Sequence, residues 1–272
     1  MYYPKEEENM ANLKQIDEAL TYYVRPQTFP LAIRMCESEK ELPDKTRIPH
    51  KDLGLSLSLC HAINMARRYG WVMAVDKSQS CYIAGISMGF LPLLPDVADG
   101  SFQESLGLWG MNRKQAAAAI EKLPKFEHGK YKNVLMAPLN RATFEPHLIL
   151  VYGNPAQIWI LLTGYLNGTG KTGLDSTLSA GAGCATYITR AIEKDECQFA
   201  LPSLGERLIP HTEDCESAFS IPMNQIEKTI QGLELGHKTG VFRYPIPTFL
   251  RYSSPHPPGY DKMLSHLLGD ES

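Results

Sequence analysis

The 272-residue sequence predicts a mixed α/β fold of the α+β kind, a layered sheet with helices covering its faces. Apolar runs of strand length alternate with helical stretches along the chain, which favours a covered sheet over an all-helical or all-strand architecture. The clearest local signal is a strand, tight turn and helix unit. HLILVY is followed by GNPAQIWILLTGYL, with Asn154 placed to cap and Pro155 at the first helical position, where its φ already suits a helix.

The elements follow in order. Residues 11–24 carry Leu13, Ile16, Leu20 and Tyr23 at helical spacing and predict a surface helix, part of an N-terminal unit over 1–29. TFPLAIRM predicts a strand ending at Cys36, followed by a charged, proline-marked loop that carries His50. LGLSLSLCHAINMARRY, from Leu53, predicts a helix with arginines in its last turn and Gly70 at its stop. WVMAV predicts a short buried strand, and Ser78 or Ser80 is placed to cap a helix beginning beside Cys81. LPLLPDVADGSFQESLGLWG predicts an irregular surface segment, long enough to act as a lid.

Asn112 then caps the alanine-rich RKQAAAAIEKL. KNVLMAPL and HLILVY predict two strands, paired as a hairpin or as neighbours. KDECQFALPSLGERLIP predicts one or two more, and SAFSIP with MNQIEKTIQGLELG a last strand and helix. One α/β domain is expected over 30–250, with 91–131 the junction if it divides into two lobes, and a polar tail over 251–272.

Composition excludes several classes. A formal net charge of -3 offers no basic footprint for nucleic acid. No apolar run approaches the length needed to span a bilayer, and the acidic start MYYPKEEENM lacks an apolar signal core, so a cytoplasmic protein without a membrane partner is expected. Six cysteines, at 36, 60, 81, 184, 197 and 215, are too sparse for a secreted disulfide framework and form no CxxC pair.

The stretch richest in chemical suggestion is STLSAGAGCATYITR, from Ser176, where glycines deliver Cys184 to a helix start. Unpaired N–H groups and the helix dipole there favour a thiolate. Cys81 stands at a second expected helix start. Cys60, Cys81, Cys184 and, as a fourth candidate, Cys197 therefore suggest thiolate ligands of an iron–sulfur cluster or metal, against the bland alternative of buried packing cysteines.

Other motifs are weaker. GTGKTG, from Gly168, matches a GxGxxG pattern but follows a helix instead of a strand, so it predicts a helix-exit loop. GAGCAT, from Gly181, lacks the upstream strand of a dinucleotide site. GISMG matches a nucleophile elbow at Ser87, with Asp214 and His237 as the available partners. His147 is expected to be structural, and Arg207 either clamps an anion or pairs with Glu206 or another surface acid.

Read in order, PLAI, LCHAINMARRYGW, SCYIAG, APLNRATFEPHLILVYGNPAQ, GAGCA, FALPSLGERL and SIPMNQIEK resemble an uncharacterised archaeal and bacterial family labelled ArCR, from about Pro30 to Pro247. The resemblance implies cysteines at Cys60, Cys81 and Cys184 and an arginine at Arg207 as parts of one shared site. It carries no activity.

Three functions are expected in turn. The first is binding of a metal or redox cofactor by Cys60, Cys81 and Cys184, with Asn154, Gly181, Gly183 and Arg207 holding a small anionic ligand or the anionic part of a cofactor. The second is a non-catalytic binding module. The third is a cofactor-free enzyme with Cys184, or Ser87, as nucleophile.

Overall fold

At the centre of the sheet lies β1, Leu31–Cys36, a strand apolar on both faces: Leu31, Ile33 and Met35 pack to one side and Ala32 to the other. The computed structural model describes residues 4–178, 181–240, 242–246 and 258–269. The other strands are β2 (Met73–Val75), β3 (Asn133–Pro138), β4 (Leu148–Gly153), β5 (Gln198–Ala200) and β6 (Ser217–Pro222). They form one six-stranded sheet in the order β2-β3-β1-β4-β6-β5, with antiparallel pairing throughout. The mixed α+β class is as the sequence predicts. The runs expected to pair as a hairpin or as neighbours are β3 and β4, and they do not touch as strands: β1 lies between them, its Leu31 opposite Pro138 on one side and Leu150 on the other.

Two helical layers cover the sheet. The first contains α1 (Pro4–Tyr23), α7 (Pro155–Thr169) and α10 (Met223–Thr239), which bury Ala32, Ile149, Val151, Phe219 and Ile221. Leu13, Ile16 and Leu20 of α1 face inward, as their spacing predicts. Asn154 accepts from the Gln157 backbone while the Gln157 side chain accepts from Asn154 N–H, a reciprocal cap that fixes the start of α7. Its end falls inside GTGKTG: Gly170, at φ 70°, closes the helix, and Lys171 pairs with Glu196 at 2.8 Å, which is the helix-exit loop expected.

The second layer carries α2 (Leu59–Tyr69), α3 (Tyr82–Ser87) and a π-helical stretch, Ala185–Arg190, that continues into α8 (Ala191–Lys194). Leu59, Ile63, Ala84, Tyr187 and Ile188 pack there on Leu31, Ile33, Leu150 and Tyr152. Helix α2 begins later than expected, because Ser58 caps it by accepting from His61 N–H; its end at Gly70, φ 74°, is as expected. The segment predicted to be irregular holds two short helices, α4 (Pro95–Ala98) and α5 (Ser101–Ser105), before α6 (Arg113–Glu121), which Asn112 caps.

After β5, the sequence expected to continue as strand turns instead into α9 (Leu204–Leu208). The reason is a capping box in which Ser203 and Glu206 satisfy each other's backbone N–H groups. In the expected polar tail, α11 (Pro258–Leu268) exposes Tyr260, Met263, Leu264, Leu267 and Leu268. Among the described residues no helix is long and apolar enough to cross a membrane.

Candidate functional site

Three helix starts meet on the α2 side of the sheet. Cys60 is the second residue of α2, Cys81 occupies the N-cap of α3, and Cys184 occupies the N-cap of the π-helical stretch. Packing of α3 on the π-helical stretch and of α2 on α9 draws these segments together. The Gln79 side chain locks the turn before α3, accepting from Cys81 N–H at 2.8 Å and donating to the Cys81 carbonyl at 2.6 Å. Ser58 Oγ lies 3.0 Å from Cys60 Sγ.

A buried carboxylate completes the group. Glu206 is 2% exposed; its Oε1 accepts from Tyr152 Oη at 2.7 Å and Tyr187 Oη at 3.2 Å, and its Oε2 from Ser203 N–H at 2.8 Å. All three donors are neutral. Oε2 also stands 2.5 Å from where a side chain on Gly183 would begin, so glycine is needed for the chain before Cys184 to approach this carboxylate. Arg67 lies over the Tyr152 ring at 4.2 Å, but its guanidinium is held by Glu216 at 2.5 and 2.8 Å.

The electrostatics reverse the local expectation for Cys184. Burial raises its thiol well above the usual range, and the neighbouring Cys81, Glu206 and Cys60 each raise it further. Burial likewise pushes Cys60 up to about 11, with Glu206 and Cys81 adding to the shift and the Ser58 hydrogen bond opposing it. Tyr152 and Tyr187 are raised by burial and then by Glu206. A helix start does favour a thiolate, but desolvation beside other acidic groups outweighs it here. Burial therefore holds Cys60 and Cys184 as neutral thiols near the Glu206 side chain.

That balance has an alkaline consequence. The folded chain keeps the Cys60 proton up to about 11, whereas an unfolded thiol releases it near about 8.5, so this contribution to stability is complete below about 8.5 and is lost as pH rises to about 11. The expected loss is on the order of 3 kcal/mol. In urea unfolding at pH 7 and pH 10.5, the difference between wild type and Cys60→Ser should narrow at the higher pH; a constant difference would contradict the assignment.

The remaining expected site residues lie elsewhere or are already engaged. Asn154 caps α7 and donates to Tyr244 Oη at 2.9 Å, and Arg207 donates to Asp214 at 2.7 Å and to the Pro202 carbonyl at 3.2 Å. Gly181 packs against the Trp109 indole. Cys197 is buried in the opposite face of the sheet, among the α7 and α10 side chains, away from the other three cysteines. His147 is structural: its Nδ1 accepts from Met35 N–H at 3.1 Å.

Ser87 is not on an elbow. It ends α3, fully buried, donating to the Pro124 carbonyl at 2.8 Å and lying 2.8 Å from Thr189 Oγ1, whereas an elbow serine stands exposed between a strand and a helix. Its expected partners are separated from it, Asp214 by its pairing with Arg207 and His237 by packing on Tyr22 and Tyr23.

Sequence reasoning passed over Tyr152 and Tyr187 and took Glu206 for a surface acid, whereas it is buried and Arg207 pairs with Asp214. Glu206 had a visible signal, the Ser-x-x-Glu spacing of a capping box in SLGE. Tyr152 shares the strand period of Leu148 and Leu150, which places its ring on the same face.

Among the described residues, no group of three or more His, Cys, Asp or Glu side chains is arranged to hold a metal ion directly. Fold and site together define an α+β protein with a buried thiol–carboxylate group at the convergence of three helix starts. The chain belongs to the family described as uncharacterised ArCR, which it matches over residues 19–232, from within α1 to within α10. Neither a curated protein nor a solved structure matches it.

Proposed function

We propose that this protein binds a thiophilic metal or an iron–sulfur cluster through Cys60, Cys81 and Cys184. The observation that carries the reading is the placement of these three cysteines, from segments far apart in sequence, at helix starts on one side of the sheet, beside the buried Glu206. A buried carboxylate with neutral donors alone calls for a counter-charge. A bound cation supplies it, and stabilises the thiolates that burial disfavours. Side-chain rotation at the three helix starts would close the thiols on the ion.

Loading must displace thiol protons, so affinity should rise steeply with pH, by up to about a thousandfold per unit if three protons leave together. Anaerobically purified protein is expected to carry iron with sulfide, or to take up one Co(II) with thiolate-to-metal absorption. Cys60→Ser/Cys81→Ser/Cys184→Ser should lose both while remaining folded. Folded wild-type protein that shows neither, after reduction and incubation with iron and sulfide or with Co(II), would exclude the reading.

A second reading, a non-catalytic binding module in which these cysteines only pack, draws on the lack of a ready metal-holding group among the described residues. It predicts the same ligand binding in the triple variant as in the wild type. The nucleophile reading for Cys184 draws least support, because burial holds its thiol protonated.

A further inference from the structure

Beside the thiol group, a cavity of about 300 Å³ is walled by Trp109, Leu123, Pro124, Leu178 and Gly181, with Lys122 also contributing to its lining. Among the described residues, its polar contributors besides Lys122 are Thr177 and Thr186, and no carboxylate lines it. Thr186 is already committed, donating to the Thr177 carbonyl at 2.8 Å. What remains for a ligand is a mainly apolar space with the Thr177 hydroxyl in its lining and Lys122, an exposed side chain, as its one charged lining residue among those described, a size and character suited to a small molecule.

Two features show that the wall is built for close approach. Trp109 holds a left-handed backbone, φ 64°, a conformation that is costly for a bulky residue and tends to persist at ligand clamps. Its indole lies against Gly181, where any side chain would run into the ring. Glycine here lets the indole pack on the segment that leads to Cys184. The inner wall is shared with the thiol group, since Trp109 and Ile83 pack on Leu123, Ala182 and Ala185, and Ile83 belongs to the helix that Cys81 caps.

We infer that this cavity binds a small monocarboxylate with an apolar body, the carboxylate meeting Lys122 and the body lying against Trp109. The inference goes beyond the metal reading and does not require it, because none of the three cysteines lines the cavity. It also gives the small anionic ligand expected from sequence a place away from Asn154 and Arg207, whose polar groups have partners within the chain.

The test is calorimetric titration of the full chain with octanoate, 1-octanol and octylammonium. Octanoate should bind saturably, at least tenfold more tightly than the alcohol, with the amine weaker still. Lys122→Gln should erase the preference for octanoate over octanol, and Gly181→Leu should abolish binding of all three. Because Gly181→Leu displaces Trp109 and can disturb folding, Trp109→Phe is the second variant: it should keep octanoate binding within a few-fold while removing any octanoate-induced change in tryptophan fluorescence.

Equal binding of the three probes, an unchanged preference in Lys122→Gln, or no saturable heat with folded protein would each overturn the inference. The Cys60→Ser/Cys81→Ser/Cys184→Ser variant separates it from the metal reading. Octanoate binding retained there leaves the cavity assignment standing even where metal binding has failed.

Discussion

Replacing Arg67 with methionine lowers the stability of this protein by about 3 kcal/mol at pH 7, the low end of the loss expected when a buried ion pair is broken, because Arg68 still reaches Glu216 at 3.2 Å. Arg67 is 1% exposed and donates to both oxygens of Glu216, itself nearly buried. Burial alone would raise the Glu216 carboxyl, but the hydrogen bonds and charge of Arg67 outweigh it and hold that carboxyl below its ordinary value. A carboxyl lowered in the folded state contributes stability above its unfolded pKa, near about 4.3, and loses it as pH falls through the folded value. Wild type and Arg67→Met should therefore converge in urea midpoint below about pH 4. Arg67→Met/Glu216→Leu should recover much of the loss, since removing both charges avoids the orphan. A single-variant loss under 1 kcal/mol would show that the pair is not buried in solution.

The same substitution should reach the thiol group. Arg67 lies over Tyr152, and Tyr152 donates to Glu206, so loss of the guanidinium frees the ring that positions the carboxylate.

The second large effect is expected at the seam between α7 and α10. A side chain on Gly232 would run into the Gly164 carbonyl and lie 2.6 Å from Gly168 N, so both contacts are with backbone that cannot rotate away. Gly232→Val should cost about 3 kcal/mol through overpacking. Gly232→Ala should cost less, because alanine regains about 1 kcal/mol of helix propensity. Gly173, with open space around it, is the control: Gly173→Ala should change the urea midpoint little. Equal stability of Gly232→Val and wild type would mean that the helices do not meet at this distance.

The glycines of this seam illustrate how legibility divided. That α7 and α10 are helices was readable from an N-cap, a proline and an apolar run. That Gly164, Gly168 and Gly232 bring their backbones together was not, because a glycine's partner across a helix interface leaves no mark on its own neighbours in sequence. The strands show the same division: the apolar runs at β3 and β4 were readable, but the insertion of β1 between them depends on pairing between distant segments, which local pattern does not encode.

For the site, the sequence by itself determined which side chains were available: cysteines at expected helix starts, a glycine-rich approach to Cys184, and family membership through motifs spread along the chain. It also determined a Ser-x-x-Glu cap around Glu206, though nothing local said where that carboxylate would point. Only the tertiary structure decided which cysteines share a face of the sheet. Cys60, Cys81 and Cys184 share one face of the sheet with Tyr152, Tyr187 and Glu206, while Cys197 lies on the other. It also decided the protonation of Cys184. A helix start acts through nearby N–H groups and favours the thiolate, but burial beside other acidic groups depends on what the whole fold places around the sulfur, and here that larger effect keeps the thiol neutral.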